Sequence, residues 1–205
     1  MSSDKPTPYN PLDKINLAQS IATAMLVQYP LPIAQTEDVT GAGVYAIYYT
    51  GEFDLYQPIS KQNTRERFEQ PIYVGKAIPK GGRRGGLTLD SSAGTALRDR
   101  LRKHASSVES ASNLDQSDFF FRWLMVDDIW IPLGENILIE RFKPLWNQVI
   151  DGFGNNDPGG RRATQYRSHW DVLHPGRPWA VKLAQGETTA AQICEKAERY
   201  FTNKD

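Results

Sequence analysis

The seven residues Gly43-Val44-Tyr45-Ala46-Ile47-Tyr48-Tyr49 have few conformations open to them besides a strand. β-branched and aromatic side chains fill the run, and Gly41-Ala42-Gly43 punctuates its start. Alternation places Tyr45, Ile47 and Tyr49 on one face and Val44, Ala46 and Tyr48 on the other. A polar stretch, residues 51–70, separates it from a second short strand, Pro71-Ile72-Tyr73-Val74-Gly75-Lys76. A third and longest strand is predicted over residues 117–128. Its run Phe119-Phe120-Phe121-Arg122-Trp123-Leu124-Met125-Val126 hardly alternates, which marks a largely buried strand.

Helical periodicity surrounds these strands. Residues 12–29 carry apolar positions Ile15, Leu17, Ala18, Ile21, Ala22, Ala24, Met25 and Leu26. Tyr29-Pro30-Leu31-Pro32 stops that helix. Further helices are predicted over residues 95–108, 134–142 and 188–201. Residues 147–162 form a turn-rich loop ending in two arginines, and Trp170 and Trp179 anchor an irregular region. The order helix, strand, strand, helix, strand, helix predicts an α/β (α+β) sandwich: a central three-stranded sheet flanked by helices, with terminal additions. Within one compact domain, residues 1–40 form an arm and helix, 41–149 a core with an insertion at 51–70, and 150–205 a C-terminal extension. Neither GxxxxGK[ST] nor a helix-opening GxGxxG occurs, so a nucleotide-binding fold is not indicated.

Composition excludes several chemistries. One cysteine, Cys194, rules out an internal disulfide and a cysteine zinc site, and three histidines leave little for a multi-histidine metal centre. No apolar run approaches the ~18 residues of a membrane span, and Met-Ser-Ser-Asp-Lys-Pro does not resemble a secretion signal, so a cytoplasmic protein is expected. The 24 basic and 24 acidic residues cancel, yet they are unevenly spread. Between Lys76 and Lys103 lie Lys76, Lys80, Arg83, Arg84, Arg98, Arg100, Arg102 and Lys103, opposed only by Asp90 and Asp99. Such a block suits a phosphate backbone and equally suits a solvated basic surface.

On a wheel of the 95–108 helix, Leu97, Leu101, Ala105 and Val108 make an apolar stripe. His104 falls inside it and Arg100 beside it, four residues apart on one side of the helix. Arg98, Asp99 and Arg102 point elsewhere, as solvated charges. In the 134–142 helix, Glu135 shares the apolar face with Leu138, Ile139 and Phe142, whereas Glu140 points away. A carboxylate there serves either the helix start or a cation. Tyr45, Tyr73 and Asn147 have equally ordinary readings, as strand packing and a turn residue.

Taken together, these residues resemble the GIY-YIG nuclease superfamily. Gly43-Val44-Tyr45 and Tyr73-Val74-Gly75 match its paired motifs, followed in order by Arg100 and His104, Glu135 and Asn147, over residues 41–149. Tyr45 and Tyr73 are farther apart than in the commonest members. The insertion at 51–70, the compact chain, the N-terminal helix and a tail with Phe153-Gly154-Asn155 resemble the type II restriction endonucleases of the superfamily.

The resemblance implies roles. Tyr45 would be the general base that activates water, assisted by His104, Lys76 or other positive charge, and Tyr73 would hold the base, water or phosphate. Arg100 would bind the scissile phosphate, and Asn147 would support the site from outside. Glu135 would ligate one divalent cation, Mg²⁺, with Mn²⁺ able to replace it. The implied activity is metal-dependent cleavage of double-stranded DNA at a short palindrome, GC-rich and CCGCGG as a first guess. A homodimer in the bacterial cytoplasm would do this beside a companion DNA methyltransferase. Arg83, Arg84, Arg161 and Arg162, in glycine-flanked loops, and Arg98, Arg102 and Lys103 are the expected DNA contacts. A structure-specific repair or mobile-element nuclease and a catalytically inactive DNA-binding module are the alternatives.

Overall fold

The computed structural model describes residues 8–64, 67–79, 94–159 and 165–203. Helix α1 (Lys14–Leu26) buries Ala22 and Met25. Its proline stop leads directly into a short edge strand not visible in the sequence pattern, β1 (Leu31–Pro32). Strand β2 (Gly43–Tyr49) is buried at every position. The polar insertion holds a 3₁₀ turn (Asp54–Tyr56), helix α2 (Gln57–Ser60), and an antiparallel pair, β3 (Asn63–Thr64) with β4 (Arg67–Phe68). Asn63 fastens it to the sheet. Its amide donates to the carbonyls of Tyr49 and Gln70 at 3.0 and 2.8 Å and accepts from the N–H groups of Glu69 and Gln70 at 3.1 and 3.0 Å.

Strand β5 (Pro71–Ala77) precedes α3 (Ala96–Ser110), which buries the expected stripe of Leu97, Leu101, Ala105 and Val108 together with His104. The third long strand, β6 (Phe119–Met125), is shorter than its apolar run. Before it, the Asp115 side chain accepts from the Ser117 N–H and starts a 3₁₀ turn; after it, Trp130 N–H closes a turn on the Asp127 carbonyl at 2.8 Å. Helix α4 (Ile131–Phe142) begins three residues ahead of the expected start, because Pro132 sits in the first turn where its missing donor goes unused. Short helices α5 (Leu145–Gln148) and α6 (His169–Leu173) lead to α7 (Ala190–Thr202), whose start carries a capping box between Thr189 and Gln192. Among the described residues, no helix is long and apolar enough to cross a membrane.

The three expected strands lie side by side in an antiparallel sheet of order β1-β6-β2-β5, with β2 and β6 inside and β5 at one edge. Tyr45 pairs with Gly75 and Ile47 with Tyr73; a bulge beyond Ile47 then brings Tyr48 opposite Pro71. This register puts Tyr45, Ile47, Tyr73 and Gly75 on one face and Val44, Ala46, Val74 and Lys76 on the other. The first face packs on α3, Trp146, Phe153, Trp170 and the inner side of α7; the second packs on α1 and α4. Gly134 permits the close approach of α4, since a Cβ there would lie 3.3 Å from Val44 Cγ1. Arg122, a charge within an apolar strand, is held by hydrogen bonds: it donates to the carbonyls of Gln28 (2.7 Å) and Phe68 (2.8 Å) and to the Tyr48 hydroxyl (3.2 Å).

Candidate active site

Tyr45 lies at the centre of the sheet with no exposed surface. The residue facing it is glycine by necessity: a Cβ on Gly75 would come within 2.4 Å of the Tyr45 hydroxyl oxygen and 2.6 Å of Cζ. The missing side chain leaves the space in which the phenol ring rests. Gly43 has a comparable constraint, because its Cβ would lie 2.0 Å from the Leu124 carbonyl oxygen on β6. Both motif glycines thus follow from strand packing.

From α3, one turn apart, His104 and Arg100 meet this phenol. His104 Nε2 is 2.7 Å from the Tyr45 oxygen, and Arg100 donates to the same oxygen through Nε at 3.4 Å. Burial, with Arg100, Arg177 and Lys103 adding to it, holds His104 well below its ordinary pKa, so the imidazole is neutral. Burial pushes Tyr45 well above the ordinary phenol range; Tyr73 raises it further, Arg100 pulls it back, and Glu135 adds a smaller upward push. Tyr73 is raised by burial, offset in part by Arg100 and pushed further by Glu135. The Tyr45 and Tyr73 rings lie 6.3 Å apart, and each is within about 5.4 Å of the His104 ring.

A loop from the C-terminal extension closes the cluster. The Phe153 ring stacks on His104 at 4.4 Å and 18° and meets Tyr73 edge-on at 5.1 Å. The Gly154 carbonyl accepts from Arg100 Nη2 at 2.7 Å. Glycine leaves room here for both groups, because a Cβ would lie 2.6 Å from the Tyr73 hydroxyl and 2.9 Å from Arg100 Nη2. The Tyr73 hydroxyl and the Arg100 guanidinium therefore converge on one point.

Lys76 and Glu135 occupy the opposite face of β5. Lys76 Nζ donates to Glu135 Oε2 at 2.6 Å, with the carboxylate 17% and the lysine 34% exposed. Glu135 begins the second turn of α4, and that helix has no acidic residue in its first turn, so the helix start does not account for it. Its negative charge adds a small upward push to both tyrosines from across the edge strand β5. Lys76 is paired with Glu135 on the far face, and His104 is uncharged. The charge that lowers Tyr45 thus comes from Arg100. Asn147 is committed to the edge strand: its amide donates to the Val74 carbonyl and accepts from the Val74 N–H, both at 2.8 Å.

These donors suit one kind of cation. Glu135 offers a carboxylate already in contact with an ammonium, Asn147 is spent on backbone, and the described residues contain no group of three or more His, Cys, Asp or Glu placed for a metal. A hard divalent ion that takes one carboxylate and completes its shell with water and phosphate oxygens fits this set; a two-metal cage does not.

The expected DNA contacts divide. Arg98 donates to the Glu37 carbonyl at 3.2 Å and Arg102 to the Thr36 hydroxyl at 3.2 Å, on the side of α3 turned away from Arg100. Lys103 lies on the Arg100 side, 3.4 Å from Asn156 Oδ1, in a cleft also lined by Ser106, Asn155 and Trp179. Arg83, Arg84, Arg161 and Arg162 lie outside the described residues. The sequence reading passed over Arg177 and Asp171, although an arginine between two tryptophans with an acid six residues earlier is a readable signal.

Against known proteins, the Eco29kI GIY-YIG domain matches residues 37–201, well over half the chain and nearly everything from ahead of β2 to the end of α7. A search of curated proteins returned no match. With its strands and helices in the order that the motifs implied, the chain belongs to the Eco29kI GIY-YIG family and is a restriction-type nuclease acting on DNA.

Proposed function

We propose that this chain is a type II restriction endonuclease that hydrolyses double-stranded DNA at a short palindrome. It would act as a homodimer with one active site per strand, in a bacterial cytoplasm where a companion methyltransferase protects the host sequence. A GC-rich site, CCGCGG first among those to test, is part of the reading. The observation that carries it is the meeting of Tyr45, His104, Arg100 and Tyr73 on one face of β5 with Glu135 and Lys76 on the other.

In this reading Tyr45 works as a relay, since burial keeps it protonated near neutrality. The attacking water gives its proton to the Tyr45 oxygen as the phenolic proton passes to His104 Nε2, the acceptor 2.7 Å away. The new oxygen–phosphorus bond forms and the bond to the leaving oxygen breaks. Arg100 holds a phosphate oxygen and offsets the charge that develops there. Tyr73, beside Arg100, orients the water or the phosphate. Glu135 would hold the single divalent cation, Mg²⁺ or Mn²⁺ in its place. That ion supplies Lewis-acid stabilisation of charge on the phosphate and leaving oxygens. Lys103, with Arg98 and Arg102 farther round α3 and the arginine pairs at 83–84 and 161–162, would follow the DNA backbone and read base edges.

A nuclease specific for branched DNA, or a binding module without activity, is the competing reading. A module that had lost its chemistry has no need of the Tyr45, Arg100 and Glu135 set, all present here. The test is incubation of the purified chain with unmethylated plasmids of known sequence, with Mg²⁺ or with EDTA, beside Glu135→Ala. Discrete metal-dependent fragments absent from the variant support the proposal, and their ends give the site. Intact plasmid in every lane overturns it for duplex DNA.

A further inference from the structure

Arg177 is only 2% exposed, and it lies outside every group assigned above. Its guanidinium is held on all sides. Nε donates to Asp171 Oδ1 at 2.7 Å, Nη1 to the Phe153 carbonyl at 3.1 Å and Nη2 to the Gly152 carbonyl at 3.0 Å. The Trp170 and Trp179 rings cover its two sides, 4.5 and 4.6 Å from the central carbon. Asp171 in turn accepts from the Ser168 hydroxyl at 2.7 Å.

A buried ion pair of this kind is a poor way to gain stability alone, because two charges must be stripped of water. What this pair holds is more informative. Its two carbonyl acceptors are consecutive, and the next carbonyl in the chain, that of Gly154, anchors Arg100. Between them, the Phe153 ring stacks on His104. Three successive residues therefore link the arginine to the phosphate-binding guanidinium and to the proton acceptor of Tyr45.

We propose that Arg177 is a positioning residue: by fixing the carbonyls of Gly152 and Phe153 it sets residues 152–154 against α3, and so orients the Arg100 guanidinium and the His104 ring. The inference rests on the nuclease reading for its effect on rate, while the geometry it describes is independent of that reading. The planar fork of arginine is essential, since a lysine reaches only one of the acceptors. The tryptophans hold that fork flat and dry. The positive charge of Arg177 also acts on His104 and opposes its protonation, as Arg100 and Lys103 do.

The test uses the full chain with Arg177→Lys, Arg177→Met and Trp179→Leu. The lysine variant keeps charge and bulk, and Trp179→Leu keeps the ion pair, so both hold the fold if Arg177→Met does not. Under single turnover at saturating DNA, Arg177→Lys and Trp179→Leu are expected to cleave roughly 10- to 100-fold more slowly than the native chain, with affinity for DNA in EDTA unchanged. The His104 imidazole and Arg100 Nε NMR signals should move in both, and the His104 pKa should rise in Arg177→Met. Native cleavage rates in both milder variants overturn the proposal. If the native chain itself cuts no duplex DNA, the nuclease reading falls instead. The NMR signals then decide the positioning role, and unmoved signals in Arg177→Lys overturn it.

Discussion

The Tyr45 oxygen and His104 Nε2 stand 2.7 Å apart, on two buried side chains. In the proposed mechanism the neutral imidazole takes the proton of a phenol that resists ionisation. Tyr45→Phe and His104→Ala should each lower the cleavage rate by roughly 10²- to 10⁴-fold. Because burial holds His104 well below its ordinary value, the acid limb of the pH–rate profile should fall below pH ~6.5, the ordinary histidine value. An acid limb at the ordinary histidine value, unchanged in the phenylalanine variant, would count against the pairing.

If Glu135 holds the proposed divalent ion, Lys76 competes with that ion for the carboxylate. Removing the ammonium in Lys76→Met should tighten Mn²⁺ binding by up to roughly fivefold, the range of a half-exposed ion pair. Glu135→Ala should abolish it. Calorimetric titration of Mn²⁺ without DNA measures both. Weaker binding in Lys76→Met would mean that the lysine supports the ion.

Two glycines allow a comparison. At Gly75 the intruding Cβ meets a buried phenol with no room to retreat, so Gly75→Ala should lose about 1–3 kcal/mol of stability as well as activity. At Gly154 the Cβ meets the tips of Tyr73 and the partly exposed Arg100, which can swing aside. Gly154→Ala should therefore keep its melting temperature and lose cleavage. Urea melts and plasmid assays on the two variants separate the cases.

Acid should destabilise the fold early. His174 is buried in a network, accepting from the Tyr56 hydroxyl while Trp146 Nε1 donates to that same oxygen at 3.0 Å, and burial lowers its pKa to about 3. His104 is lowered too. Below pH ~6.5 the unfolded chain binds protons that these two folded imidazoles refuse, so stability falls with pH by up to about 1.4 kcal/mol per unit for each. Urea melts between pH 7 and 5 should show this slope, and His174→Gln should reduce it. A flat profile would mean that both histidines protonate in place.

Local pattern carried much of this structure. The β-branched and aromatic run at 43–49 could only be a strand, and the wheel placed His104 in a stripe that is indeed buried. Pairing register is different in kind, because it depends on which residue of another strand lies opposite. Nothing in the tripeptide Tyr73-Val74-Gly75 says that its glycine makes room for Tyr45 and that its valine is held by Asn147. Likewise, β1 is too short to have a pattern, and Arg177 acquires its meaning only from carbonyls 24 and 25 residues away. Helix starts set by a proline, as in α4, were misjudged by three residues for want of a capping side chain.

The exchange between Asn147 and Val74 has a consequence for how copies of this protein can associate. Val74 sits mid-strand on the outer margin of β5, and its outward-facing donor and acceptor are both occupied by a side-chain amide. The opposite margin, β1, is two residues long, and one of them is a proline that has no hydrogen to offer. Among the described residues, each border of the four-stranded sheet is thus blunted at one point, which disfavours the pairing of a strand from another molecule there and guards against edge-to-edge aggregation.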